Sequence, residues 1–178
     1  MADVDSMASR LCSACGMCCN GALFYTVHLK PGDSAKALSA LGLKLKKKRG
    51  QLYLLQPCPA HREGACAIYM NRPTRCCLFR CRLLTQLDDG VILESEAMDR
   101  VQEAKARLAR LNRLLEQLGN TKTGQPLFKR CESVLATPPD SPDSRTTQQA
   151  LLQAKHNLDA LLEDQFRMPP PEEESTSG

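Results

Sequence analysis

Nine cysteines fall between Cys12 and Cys81, grouped as metal ligands are grouped. The first group reads Cys12-Ser-Ala-Cys15-Gly-Met-Cys18-Cys19. The second reads Cys58-Pro-Ala-His61, then Cys66-Ala-Ile-Tyr69, then Arg72-Pro-Thr-Arg75-Cys76-Cys77-Leu-Phe79-Arg80-Cys81. A two-residue spacer lets a tight turn aim two sulfurs at one ion, about 2.3 Å away for zinc. Gly16 suits such a turn because it tolerates positive φ. One pair of this kind says little. Two overlapping pairs, a vicinal pair and five further cysteines make metal ligation the expected chemistry. Adjacent cysteines do not bind one ion in relaxed geometry, so Cys18 and Cys19 point to two sites or to a multinuclear centre.

Clustered cysteines have other uses. On a helix, Cys12, Cys15 and Cys19 would share one face, and buried free cysteines pack as small hydrophobes. Nine concentrated in one stretch exceed what packing needs. A redox dithiol also uses the two-residue spacer, but no strand precedes Cys12 to give the strand-to-helix setting. Disulfides belong to oxidising compartments. Residues Met1–Arg10 are polar with two aspartates and do not read as a secretory leader. No stretch reaches the roughly 18 apolar residues of a membrane span. A cytoplasmic location with reduced thiols is therefore expected.

The spacing continues into a family resemblance. The order CxxCxxCC, Pro-Cys, Cys-x-Ile-Tyr-x-x-Arg-Pro-x-x-Cys and Phe-x-Cys resembles the CxxCxxCC (YkgJ-type) cysteine-cluster family, over roughly residues 10 to 84. That resemblance implies a zinc- or iron-chelating domain with Cys12, Cys15, Cys18, Cys19, Cys58, Cys66, Cys76 and Cys81 as metal ligands. Cys77 stands where the family usually carries a basic residue, so Cys76 and Cys77 are alternatives for one position. Eight thiols suit two closed four-cysteine zinc sites, or one four-iron, four-sulfur cluster with four thiols left over. The resemblance tilts the choice towards iron–sulfur. Some relatives are much larger flagellin lysine methylases that use S-adenosylmethionine. No glycine-rich cofactor loop follows a strand here, so that activity is not carried over.

Several other residues are candidates. His61, three positions after Cys58, is either a nitrogen ligand or an exposed loop histidine. His28 and His156 are expected to be structural or surface residues. Arg72, Arg75, Arg80 and Arg82 either offset the charge of clustered thiolates or form a basic surface patch. Cys131 stands alone as a free thiol. Asp88-Asp89-Gly90 lacks the further oxygen ligands of a calcium loop and is expected to be a turn. Glu94 and Glu96 fit the first turn of a helix.

The elements that must position these residues divide the chain in two. The chain has 178 residues, 42% of them hydrophobic but only 4% aromatic, with no tryptophan. Leu23–Leu29 and Leu52–Leu55 are expected to be strands. Ser34 or Asp33 begins a short helix that Gly42 ends. Lys44–Gly50 is expected to be a basic loop, solvated rather than bound to nucleic acid, despite a net charge of +4. After a boundary near Asp88–Gly90 the pattern turns helical. Ala97, Val101, Ala104, Leu108, Leu111, Leu115 and Leu118 form one stripe, which Gly119-Asn120 ends. After a proline-rich linker around 137–142, Ser141 and Pro142 start a second helix with a stripe at Leu151, Ala154, Leu158, Leu161 or Leu162, and Phe166.

The sequence thus predicts an α+β protein. A small irregular, metal-stabilised cysteine-cluster domain at 10–86 precedes an α-helical hairpin at 92–166 and a disordered acidic tail at 168–178. The expected function is a metal-binding module for zinc or iron, non-catalytic on its own. A protein partner is expected on the C-terminal helices, and none on a membrane. The competing reading is a metal-cluster-dependent enzyme, such as an S-adenosylmethionine-dependent methyltransferase or a redox catalyst. An enzyme should show a concave pocket with convergent polar groups such as His61, Arg72 or Arg75. A module should show buried cysteines and an exposed apolar strip on the helices.

Overall fold

A computed structural model describes residues 6–168. Helix α1, Met7–Cys15, starts where the Ser6 hydroxyl accepts the Ser9 N–H, and it ends at Gly16 with φ +66°. Strand β1, Thr26–His28, is shorter than the Leu23–Leu29 run suggested. Helix α2, Ala35–Ala40, is capped by Ser34 as expected. Strands β2, Leu45–Lys48, and β3, Gln51–Leu55, follow.

Lys44–Gly50 is thus a hairpin arm and not a loop. Arg49 and Gly50 both take positive φ, the geometry of a two-residue turn that matches strand twist. Lysine is a poor strand former, but pairing with β3 outweighs propensity. The antiparallel sheet runs β1-β3-β2, which leaves the lysines on an edge strand, where charge discourages further pairing. A second small hairpin joins β4, His61–Arg62, to β5, Ala65–Cys66. Helices α3, Thr74–Leu78, and α4, Arg82–Asp88, complete the cysteine-bearing half. Neither of these two helices was legible, because both are too short to show a period.

The C-terminal half holds two long helices, α5, Glu94–Gln117, and α7, Pro142–Gln165. Ser141 caps α7, whose first residue is Pro142, and Gly119 at φ +75° ends the turn after α5. A third helix, α6, Leu127–Leu135, lies in the connection, which was expected to be only a linker. Arg107 on α5 donates to the Asn157 carbonyl on α7 at 2.6 Å, and the end of α7 meets α4 beside the start of α5. The two long helices therefore run antiparallel. Their facing stripes are buried: Ala97, Val101, Ala104, Leu111, Leu115 and Leu151 have no exposure, and Leu158, Leu162 and Phe166 have almost none. Each buried leucine of this kind contributes about 1.5–3 kcal/mol.

One apolar core crosses the expected boundary near Asp88–Gly90. Leu11, Met17, Leu23, Leu83 and Leu84 belong to the same cluster as the α5–α7 stripes. A second, small core of Leu29, Leu38, Leu43, Leu54, Cys58 and Ala60 lies under the sheet. The mixed helix-and-strand architecture is as expected. Among the described residues, no helix is long and apolar enough to cross a membrane. From Pro169 on, the expected acidic tail lies outside the described residues.

Candidate metal centre

The cysteines are delivered by separate elements to one place. Cys12 and Cys15 stand on the last turns of α1. Gly16 then reverses the chain, and its carbonyl accepts the N–H groups of Cys19 and Asn20, both at 2.9 Å. This turn holds Cys18 and Cys19. The Cys58 N–H donates to the Cys19 carbonyl at 2.7 Å, which ties the second cysteine group to the first. Cys66 lies on β5 opposite His61, Cys76 lies on α3, and the Cys81 sulfur caps α4 by accepting the Leu84 N–H at 3.4 Å.

Seven of these eight thiols line a cavity of about 410 Å³, and the eighth, Cys58, is buried beside Cys19. Hydrophobic side chains close the cavity, among them Leu84 on α4 and, from the other half of the molecule, Val101 and Phe166. All ten cysteines are free thiols. Cys77 is exposed, points its thiol at the Arg72 carbonyl at 3.6 Å, and is not part of the cavity wall. Cys131 is fully buried on α6, away from the cavity.

Burial is the first influence on the shifted thiols, and neighbouring thiols follow, mostly from one of two sets, with Cys19 acting on Cys18 and Cys15 on Cys19 across them. Burial pushes Cys12 up, Cys81 adds to the rise, and Arg72 and Arg80 offset it. Burial pushes Cys15 up to about 12; the Met17 N–H works against this, while Cys81 and Cys12 add to it. Cys18 is raised well above the ordinary value by burial, then by Cys15, Cys19, Cys81 and Cys12. Burial takes Cys19 to about 12, followed by the influence of Cys58, Cys66 and Cys76. Cys76, also at about 12, feels burial first and then Cys58. One set is Cys12, Cys15, Cys18 and Cys81, and the other is Cys19, Cys58, Cys66 and Cys76. The Cys18–Cys19 peptide joins them, and Arg72 acts on a member of each.

Backbone N–H groups aimed at sulfur favour the thiolate. The Leu84 N–H donates to the Cys81 sulfur at 3.4 Å, and the backbone at Met17 lowers Cys15 while that at Ala60 and His61 lowers Cys58. Arg72 lies over the Tyr69 ring at 3.6 Å and donates to the Tyr69 carbonyl at 2.9 Å. Tyr69 in turn shares a 2.7 Å hydrogen bond with Ser9. Arg75 also lines the cavity, whereas Arg80 pairs with Asp88 and Arg82 donates to the Asp164 carbonyl. The four arginines therefore split into two at the cavity and two bound elsewhere.

His61 is not an exposed loop residue. Its ring lines the cavity, and Nε2 is buried with no hydrogen-bond partner. Burial pushes its pKa down, Lys105 adds to the fall, and a bond to the Gly64 backbone opposes it. The ring fits over Gly16, where a Cβ would come within 2.5 Å of Nε2. Spacing alone offered Gly16 only as a turn residue; its second task, making room for an imidazole from the other cysteine group, carries no sequence signal. Gln56 was also missed. It is 4% exposed, lines the cavity, and leaves Oε1 without a partner.

Eight neighbouring thiols, one of them held by a backbone donor, form a donor set suited to thiophilic metals. The thiols surround a space instead of closing on it. Among the described residues, no three His, Cys, Asp or Glu side chains stand as a ready coordination sphere. No family model, curated protein or solved structure matches the chain.

Proposed function

We propose that this chain is a cysteine-rich metal-binding module, holding zinc or iron, the latter as an iron–sulfur centre, and non-catalytic on its own. One observation carries the reading. Eight cysteines from separate elements gather at one cavity, seven on its wall and Cys58 buried beside Cys19, and their mutual influences fall mostly into two sets that meet at the adjacent Cys18 and Cys19. Cys12, Cys15, Cys18 and Cys81 serve one metal position, and Cys19, Cys58, Cys66 and Cys76 the other. The resemblance to the CxxCxxCC family supports the same assignment. Metal in this cavity stabilises the irregular half from residue 10 to 86, since ligand binding energy becomes folding energy where the apolar core is small. Such a module belongs in the cytoplasm, where thiols remain reduced.

The cavity also favours a second reading. Its size falls in the range of small-molecule pockets, and His61, Arg72 and Arg75 converge on it. These are the features of a metal-cluster-dependent enzyme, so binding of S-adenosylmethionine by calorimetry is the test of that alternative. The expected apolar strip is missing from the outer faces of the helices. Among the described residues, Leu152 is the one large exposed hydrophobic side chain on α5 and α7. A partner on these helices would be recognised through their charged faces.

The module reading is tested by elemental analysis of protein purified without oxygen. Zinc or iron should be present in at least stoichiometric amount, fall in Cys15→Ser and Cys76→Ser, and stay unchanged in Cys77→Ser. Metal-free protein with every cavity thiol freely reactive would refute it.

A further inference from the structure

The thiols do not exhaust the donors that face the cavity. His61 belongs by its backbone to the second cysteine group. Its N–H donates to the Cys58 carbonyl at 3.0 Å, and it pairs across β4–β5 with Cys66. Cross-strand partners in an antiparallel hairpin point to the same face, with Cβ atoms about 4.5–5.5 Å apart. A side chain at 61 therefore projects to the same side as the Cys66 sulfur.

The ring's tip reaches the other group, at Gly16, next to Cys15. The ring is part of the cavity wall, and its Nε2 is buried with no hydrogen-bond partner. A buried polar atom without a partner is rare in folded proteins and asks for an explanation. A histidine that binds metal offers one ring nitrogen to the ion with no protein donor upon it.

Gly16 is the complementary feature. Its φ of +66° already suits glycine, but the contact adds a separate requirement. Any side chain there would occupy the position of the His61 nitrogen.

We propose that His61 Nε2 is a metal ligand, so that one of the two centres is a mixed sulfur–nitrogen site and not all-thiolate, and that Gly16 is bare to admit it. This inference rests on the metal-binding reading. Tetrahedral zinc takes four donors, so a nitrogen ligand releases one of the eight thiols from direct ligation. It also separates the two centres chemically, because a nitrogen donor is harder than thiolate and suits zinc better than an all-sulfur iron cluster.

Nuclear magnetic resonance tests this on the intact chain, because the protein has only three histidines, His28, His61 and His156. The probes are zinc alone and then cadmium-113 alone, added to reduced metal-free protein. Long-range proton–nitrogen correlation spectra should show one Nε2 moving to a metal-bound shift as metal is taken up, with a cadmium–nitrogen coupling in the second case. That signal should be absent in His61→Gln, and it should be lost in Gly16→Ala while metal remains bound. The inference is overturned if metal binds stoichiometrically and all three imidazoles stay unmoved, or if the shifted signal persists in His61→Gln. Failure to bind either metal would instead refute the metal reading itself, and the histidine assignment with it.

Discussion

In the α5–α7 pair, two helices of 24 residues bury leucine and alanine along their whole contact. Between Gly16 and Cys81 no strand exceeds five residues and α4 has not yet begun; the small core there holds six buried residues, one of them a cysteine. The first region is held by periodic apolar contact. In the second, backbone turns gather thiols whose burial raises their pKa values and which repel one another once ionised. Apolar burial accounts for the helices, while under the proposed metal-binding reading the binding energy of an ion would offset the gathering of the thiols in the cysteine half.

The largest expected effect separates the two regions directly. Chelation of the metal under reducing conditions should melt the sheet and the short elements around the cavity. The helical circular dichroism of α5 and α7 should persist. A single thermal transition, unchanged by complete metal removal, would erase the distinction.

Truncation inside the hairpin should do the opposite. Leu158 is 2% exposed, and Leu158→Ala should cost about 2–5 kcal/mol by transfer and cavity terms. Denaturant unfolding followed at helical wavelengths would measure it, with metal content unchanged at low denaturant.

A pH effect belongs to the hairpin region as well. Burial raises the Cys131 thiol from 9.0 to about 11, with Lys155 and Arg130 opposing. A raised folded-state pKa means that its contribution to stability is fully present below pH 9. It is lost as pH rises from 9 through 11, because only the unfolded chain ionises readily there. The helical transition should weaken over that window, and Cys131→Ala should flatten the dependence. The smallest effect is at a helix end. Ser141 accepts the Ser144 N–H at 3.1 Å, so Ser141→Ala should lower hairpin stability by about 1 kcal/mol.

The same contrast explains what the sequence disclosed. The α5 and α7 stripes, the Ser34 and Ser141 caps and the Gly119 stop were legible because each is a local pattern with a fixed period or offset. Helix α6 was hidden by its brevity and by the prolines that follow it. Strand β2 was hidden because its lysines are placed by pairing with β3 and by the Arg49-Gly50 turn. Spacing identified the cysteines as a cluster but could not assign them to two sets, since Cys81 joins Cys12 and Cys15 across nearly the whole half. The distinction between Cys76 and Cys77 likewise needed the direction in which α3 faces. His61 remained ambiguous from spacing, because its surroundings depend on Gly16, far away in sequence.

The central claim is that the two thiol sets each serve a metal position. Native mass spectrometry of the full chain, purified without oxygen, tests it most directly when compared with the same sample denatured in acid. The account predicts a native mass above the chain mass by metal at both sets, as two zinc ions or as iron–sulfur centres, with the excess lost on denaturation. Changing either Cys15 or Cys76 to serine should each remove part of it. A native mass equal to that of the bare chain, in protein whose thiols are all reduced, would contradict the account.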